Sequence, residues 1–191
     1  MNQSRHYRER LPRTIPGVLI SVFNTGTLIW GPAGVGKSAL ALGLIDRGHK
    51  LIADDAVEIE MTPEKKLLGR APTVLRGFLE VRSLGILDVA ALFGEQALAD
   101  TQTVDLGIRL QREASVAPRC EEGDRRIGNR WGRRILSGVR IPQLVFSAGT
   151  GQDLPLLVET AVRELILRGN GYNGAARLRA RQRRLTQQGS S

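Results

Sequence analysis

The apolar positions of this chain fall into short runs broken by turn-forming residues, the pattern of strands alternating with a few helices. Val18-Leu19-Ile20-Ser21-Val22-Phe23 and Thr27-Leu28-Ile29-Trp30 predict two strands joined by a hairpin at Asn24-Thr25-Gly26. Ala39-Leu40-Ala41-Leu42-Gly43-Leu44-Ile45 predicts a mostly buried helix that stops near Gly48. Lys50-Leu51-Ile52-Ala53 then reads as a buried strand ending in Asp54-Asp55. Between 56 and 77 the pattern loosens around Met61-Thr62-Pro63, which predicts a strand and a turn at the surface. Phe78 to Val89 begins with strand-like alternation that puts Glu80 and Arg82 on one face. A further strand is predicted over 104–112, loop or short helix over the polar section 113–134, and a last strand from Val139 to Phe146. Residues 154–168 predict a helix with Leu156, Leu157, Thr160, Ala161 and Leu165 available for one face. No internal repeat interrupts this order.

One segment carries chemistry on its own. Gly31-Pro32-Ala33-Gly34-Val35-Gly36-Lys37-Ser38 is a complete G-x-x-x-x-G-K-S phosphate loop, and it sits between a predicted strand and a predicted helix, the context the motif requires. Its glycines let backbone N–H groups converge on phosphate oxygens, and the helix that follows adds its positive end. Lys37 supplies a point charge for the terminal phosphates, and the Ser38 hydroxyl suits Mg²⁺. Asp54 and Asp55 come about 16 residues after Ser38 at a strand end, where one carboxylate can serve the metal while its neighbour faces an acceptor. No Asn-Lys-x-Asp segment is present, which disfavours a GTPase.

Composition narrows the setting. With 191 residues and 41% hydrophobic content, the chain is large enough for one domain with a real core. The formal charge of +9 and a pI near 10.9 raise the question of nucleic acid, but only 4% of residues are aromatic and no base-stacking motif appears, so nucleic acid is not the expected partner. Much of the excess charge lies at the ends: residues 1–13 read as a basic arm, and 177–191, with five arginines from Arg177 to Arg184, as a basic, disordered tail. Cys120 is the single cysteine, which excludes a disulfide framework or a zinc site and fits a reducing compartment. With no apolar stretch of about 18 residues and no signal-peptide core, the expectation is a cytoplasmic protein without a membrane partner.

At this level of detail the residues resemble a known family. Gly31 to Ser38, the segment Arg47-Gly48-His49-Lys50-Leu51-Ile52-Ala53-Asp54-Asp55-Ala56-Val57-Glu58-Ile59, the stretch Leu79 to Val89, and Gly171-Tyr172-Asn173-Gly174-Ala175-Ala176 together resemble, in order and spacing, the catalytic domain of HPr kinase/phosphorylase over 14–176. The family's usual N-terminal domain has no counterpart in this sequence, which reads as a compact catalytic unit. The resemblance implies an α/β phosphate-loop nucleotide-binding fold of the HPr kinase and phosphoenolpyruvate carboxykinase type, a mixed sheet with flanking helices. It also implies an ATP- and Mg²⁺-dependent kinase for a serine of the phosphocarrier HPr, a hexamer, and regulation of carbohydrate uptake through the phosphotransferase system. Carried over by position, Lys37 and Ser38 hold phosphates and metal, Glu80 is a second metal contact, and Asp55, with Asp54 beside it, is the acid/base site; Arg126 aligns with an active-site arginine.

Three departures accompany the likeness. Pro16 stands where the family has a histidine, Ala39 follows the loop serine in place of a glutamate, and Ala148-Gly149-Thr150-Gly151-Gln152 lacks the arginines of a loop linked with dephosphorylation. Without an imidazole to tune an aspartate or cations to hold a phosphate nucleophile, the reverse phosphorolysis is expected to suffer first. A nucleotide-binding regulatory protein that has lost transfer chemistry is the alternative reading, and a small-molecule kinase a third. His49, between helix and strand, is expected to take a packing or surface role rather than replace the missing imidazole.

Overall fold

The computed structural model describes residues 13–112, 131–149 and 151–188. Strands β1 (Arg13–Pro16), β2 (Val18–Val22) and β3 (Thr25–Trp30) lead into helix α1 (Lys37–Asp46), then β4 (Lys50–Ala53), β5 (Ala56–Met61) and β6 (Leu67–Arg70). A hairpin follows, β7 (Phe78–Val81) and β8 (Gly85–Asp88), then α2 (Val89–Phe93), β9 (Thr101–Thr103), β10 (Leu106–Arg112), β11 (Gly132–Leu136) and β12 (Val139–Ala148). Helices α3 (Leu154–Gly169) and α4 (Gly174–Gln188) complete the order.

The central sheet has six strands in the order β11-β12-β10-β3-β2-β4. It is mixed: β10 runs parallel to β3 and β12, whereas β2 is antiparallel to β3 and β4. Alternation along its strands feeds two cores. Val18, Ile20, Val22, Ile29, Ile108 and Leu110 join a core with α1, α3 and β7 on one face. Leu19, Leu28 and Trp30 join a second core on the other face, closed by an antiparallel sheet of order β1-β5-β6-β9. The expected mixed sheet with flanking helices is therefore present, with an antiparallel layer added on the face away from α1.

Several boundaries move for physical reasons. The first hairpin turns on Phe23 and Asn24, with φ of 49° and 61°, so that Val22 pairs with Thr25 and both Thr25 and Gly26 belong to β3. Two left-handed residues make the two-residue turn whose twist matches the flanking strands. The same device at Ser137 and Gly138, φ 45° and 84°, pairs β11 with β12, so residues 132–134 are strand where loop or short helix was expected. Phe78 to Val89 folds back as a hairpin, which leaves Glu80 on β7 and Arg82 in the turn, not on one continuous face. On α3 the face actually buried is Val158, Ala161 and Val162, with Leu165 packed behind it; Leu156 is exposed.

The basic C-terminal run also departs from expectation. Residues 177–188, expected as part of a disordered tail, instead belong to α4, whose start is capped by Asn173 Oδ1 accepting from the Ala176 amide at 3.0 Å; 189–191 lie outside the described residues. Ala, Leu, Gln and Arg are good helix formers, so the charge pattern that reads as a solvated tail is equally compatible with a solvated helix. Among the described residues no helix is long and apolar enough to cross a membrane.

Candidate active site

The crossover from β3 through α1 to β4, past β2, brings the site together. Strands β3 and β4 end at the same edge of the central sheet, one running into the phosphate loop and the other into Asp54-Asp55, with the start of β2 between them. Gly17, where β1 bends into β2, packs so closely on β3 that a Cβ would lie 2.6 Å from the Ile29 carbonyl oxygen. Its amide donates to the Asp55 carbonyl at 3.0 Å. Pro16, exposed and paired with Ala56, therefore lies directly beside the aspartate pair, at the position where the family resemblance implies an imidazole.

The loop from Gly31 to Gly36 is anchored by buried Val35, whose amide donates to the Pro32 carbonyl at 3.3 Å. Gly36, with φ near 100°, hands the chain into α1 and accepts from the Leu40 amide at 2.9 Å. Pro32, Ala33 and Gly34 form an exposed crest. The Lys37 ammonium donates back to the Gly31 and Pro32 carbonyls at 3.4 and 3.3 Å, so its charge is held at the mouth of the loop. Arg112, at the end of β10, donates to the Ala33 carbonyl at 3.4 Å.

Asp54 is the floor of the site. It is buried, and its carboxylate accepts from the Ser38 hydroxyl at 3.1 and 3.3 Å and from the Glu80 amide at 2.9 Å. Burial pushes its carboxyl above the ordinary range; the Glu80 amide, the Ser38 hydroxyl and the Asp55 amide pull it back, and the Asp55 charge adds to the rise. Asp55 is a contrast: its φ of 64° turns the chain sharply, and its side chain is exposed. The two acids thus face different surroundings, Asp54 towards Ser38 and Asp55 towards solvent.

Glu80 reaches the site through its backbone amide, and its own carboxylate is exposed with no partner among the described residues. Together Ser38, Asp54 and Glu80 give oxygen donors of the kind Mg²⁺ takes alongside phosphates. Among the described residues no group of three or more His, Cys, Asp or Glu is placed to hold a metal by itself. Arg126 lies outside the described residues. Gln152 and Gly151 precede the Asp153 cap of α3, whose carboxylate accepts from the Leu156 amide at 3.1 Å and pairs with Arg47 at 2.8 Å. His49 is buried at the opposite end of β4 from Asp54, 2.9 Å from Glu159 Oε1 and edge-on to Phe23, which is the packing one of the two roles expected of it. Arg82 is the site neighbour whose placement the sequence pattern did not show, because a hairpin and not a straight strand carries it to the loop.

A family model described as HPr Serine kinase C-terminal domain matches residues 11–182. The chain belongs to this family. It is 40% identical over 176 residues to an HPr kinase/phosphorylase of Caldicellulosiruptor bescii, covering 91% of this chain and 54% of that protein. With an HPr kinase/phosphorylase of Leptospira biflexa it shares 41% over 170 residues, 88% of this chain and 52% of the relative. The chain thus spans about half the length of the curated relatives it matches. Among solved structures, the Hpr(Ser) kinase/phosphatase from Coxiella burnetii superposes with a TM-score of 0.75 at 32% identity, covering 87% of this chain and 98% of that one. The fold is that of HPr kinases, and the match to residue 182 takes the family region into α4.

Proposed function

We propose that this chain is an ATP- and Mg²⁺-dependent kinase that phosphorylates a serine of HPr or of a closely related protein, acting as a cytoplasmic homo-oligomer, with six copies as the family resemblance implies. The observation that carries the reading is the hydrogen bond that the Ser38 hydroxyl shares between the two carboxylate oxygens of buried Asp54, which joins the phosphate loop to the acidic strand end. In this role the amides from Gly31 to Gly36 and the start of α1 receive phosphate oxygens, and Lys37 exchanges its loop carbonyls for phosphate. Ser38, Asp54 and the Glu80 carboxylate would hold Mg²⁺, which when bound would offset phosphate charge. Asp55, exposed beside the loop, accepts the proton of the acceptor hydroxyl, and Arg126 contributes a cation, the role the family resemblance gives it.

Pro16 supports a second reading. Beside Asp55 it offers no imidazole, so a nucleotide-binding regulatory protein without transfer chemistry is the alternative, and phosphorolysis is the step expected to be weakest. Incubation with labelled ATP, Mg²⁺ and HPr decides between them. Label on an HPr serine that falls at least about 100-fold in Lys37→Ala supports the kinase; nucleotide binding with no label supports the alternative. Pyrophosphate released from phosphate and phosphorylated HPr would show that the reverse step survives without the arginine loop.

A further inference from the structure

Arg82 has no ion pair or hydrogen bond to any described residue, although it stands where two other cations are engaged. Lys37 and Arg112 donate to carbonyls of the phosphate loop, whereas Arg82 lies over the loop crest. A Cβ built on Gly34 would come 3.4 Å from Arg82 Nη1 and 3.7 Å from Cζ and Nη2. The placement is rigid on the protein side. Leu79 and Val81 are buried in the core under α1, the Glu80 amide is bonded to Asp54, and the Leu84 amide closes the turn onto the Val81 carbonyl at 2.8 Å.

The chemistry of this arrangement is directional. Ser38 and Asp54 mark the inner floor of the loop and Gly34 its outer crest, so an anion seated in the loop meets Arg82 at its outer end. A planar guanidinium with unspent donors, held against a concavity of backbone N–H groups, matches phosphate geometry better than a point charge does. We propose that Arg82 reads the outermost phosphate of a bound nucleotide and makes the site prefer a triphosphate to a diphosphate. This rests on the reading of residues 31–38 as a nucleotide site, and it assigns to the β7–β8 hairpin a selectivity that the loop alone does not supply.

Calorimetric titration with ATP and with ADP, each with Mg²⁺, separates the possibilities without any protein acceptor. The wild-type protein is expected to bind ATP more tightly than ADP. Arg82→Gln should weaken ATP by about tenfold and leave ADP unchanged, and Arg82→Lys, which keeps charge but loses the fork, should fall between. Lys37→Ala, by contrast, should weaken both. Equal loss of ATP and ADP in Arg82→Gln, or no loss of either, overturns the assignment, as does a wild-type protein that does not discriminate. A wild-type protein that binds neither nucleotide removes the underlying site as well. Arg82 is exposed, so its variants should melt with the parent, and a shared melting curve excludes misfolding as the cause.

Discussion

Asp54 is buried under a phosphate loop with a raised carboxyl, yet three donors converge on it. A carboxylate so placed is costly to the fold and useful to a cation. Its bonds to Ser38 and to the Glu80 amide tie the phosphate loop to the hairpin, so under the proposed function it would act on Mg²⁺ through these neighbours as well as directly. Asp54→Asn is nearly isosteric and keeps an acceptor, so the fold should persist while Mg²⁺ affinity in the presence of nucleotide falls about 10–100-fold. Titration of Mg²⁺ into protein saturated with nucleotide measures this; an unchanged midpoint would remove Asp54 from the metal site. Asp55, with the same chemistry one position on, is exposed and free to meet an acceptor. Adjacent carboxylates meet separate surroundings here because the φ of 64° at Asp55 turns the second one out to solvent.

The hairpin β2–β3 is the element on which both layers depend. Its Gly26 approaches β9 so tightly that a Cβ would lie 1.7 Å from the Thr103 carbonyl oxygen, a collision with backbone that no rotamer relieves. The Gly26 amide also donates to Asp105 Oδ2 at 3.0 Å, and its carbonyl accepts from the Asp105 amide at 2.8 Å. Gly26→Ala must therefore move β9 away from the central sheet, and we expect a loss of about 1–3 kcal/mol in urea unfolding. A variant as stable as the parent would mean that the second layer slides freely. The β7–β8 hairpin behaves differently, because buried Leu79 and Val81 and the Asp54 bond hold it by one edge while Leu84 and Ile86 remain exposed. In the sequence the segment from Phe78 begins to alternate like a strand; Gly85, with φ near 85°, permits the reversal that brings Arg82 to the loop.

The molecule as a whole has two cores that share strands. Ile20 and Ile29 point into one, Leu19 and Leu28 into the other, so neither layer can unfold without stripping a face of β2 and β3. A single cooperative transition is expected. In Trp131→Phe, which leaves Trp30 to report on the second core, fluorescence and far-ultraviolet circular dichroism should give coincident midpoints; separated midpoints would show the antiparallel layer to be independent. Period-two alternation and turn residues made most strands legible without coordinates, and G-x-x-x-x-G-K-S marked a phosphate-loop motif that the structure indeed sets between strand and helix, because each of these signals is written in neighbours along the chain. Positions of strand ends are not written that way. That β3 and β4 finish at one edge, that Ser38 and Asp54 touch, and that Arg82 returns to Gly34 depend on strand order and on a reversal at Gly85, which arise from burying two faces of one sheet at once. Local composition settled which groups this protein can bring to a phosphate; only long-range packing decided which of them meet.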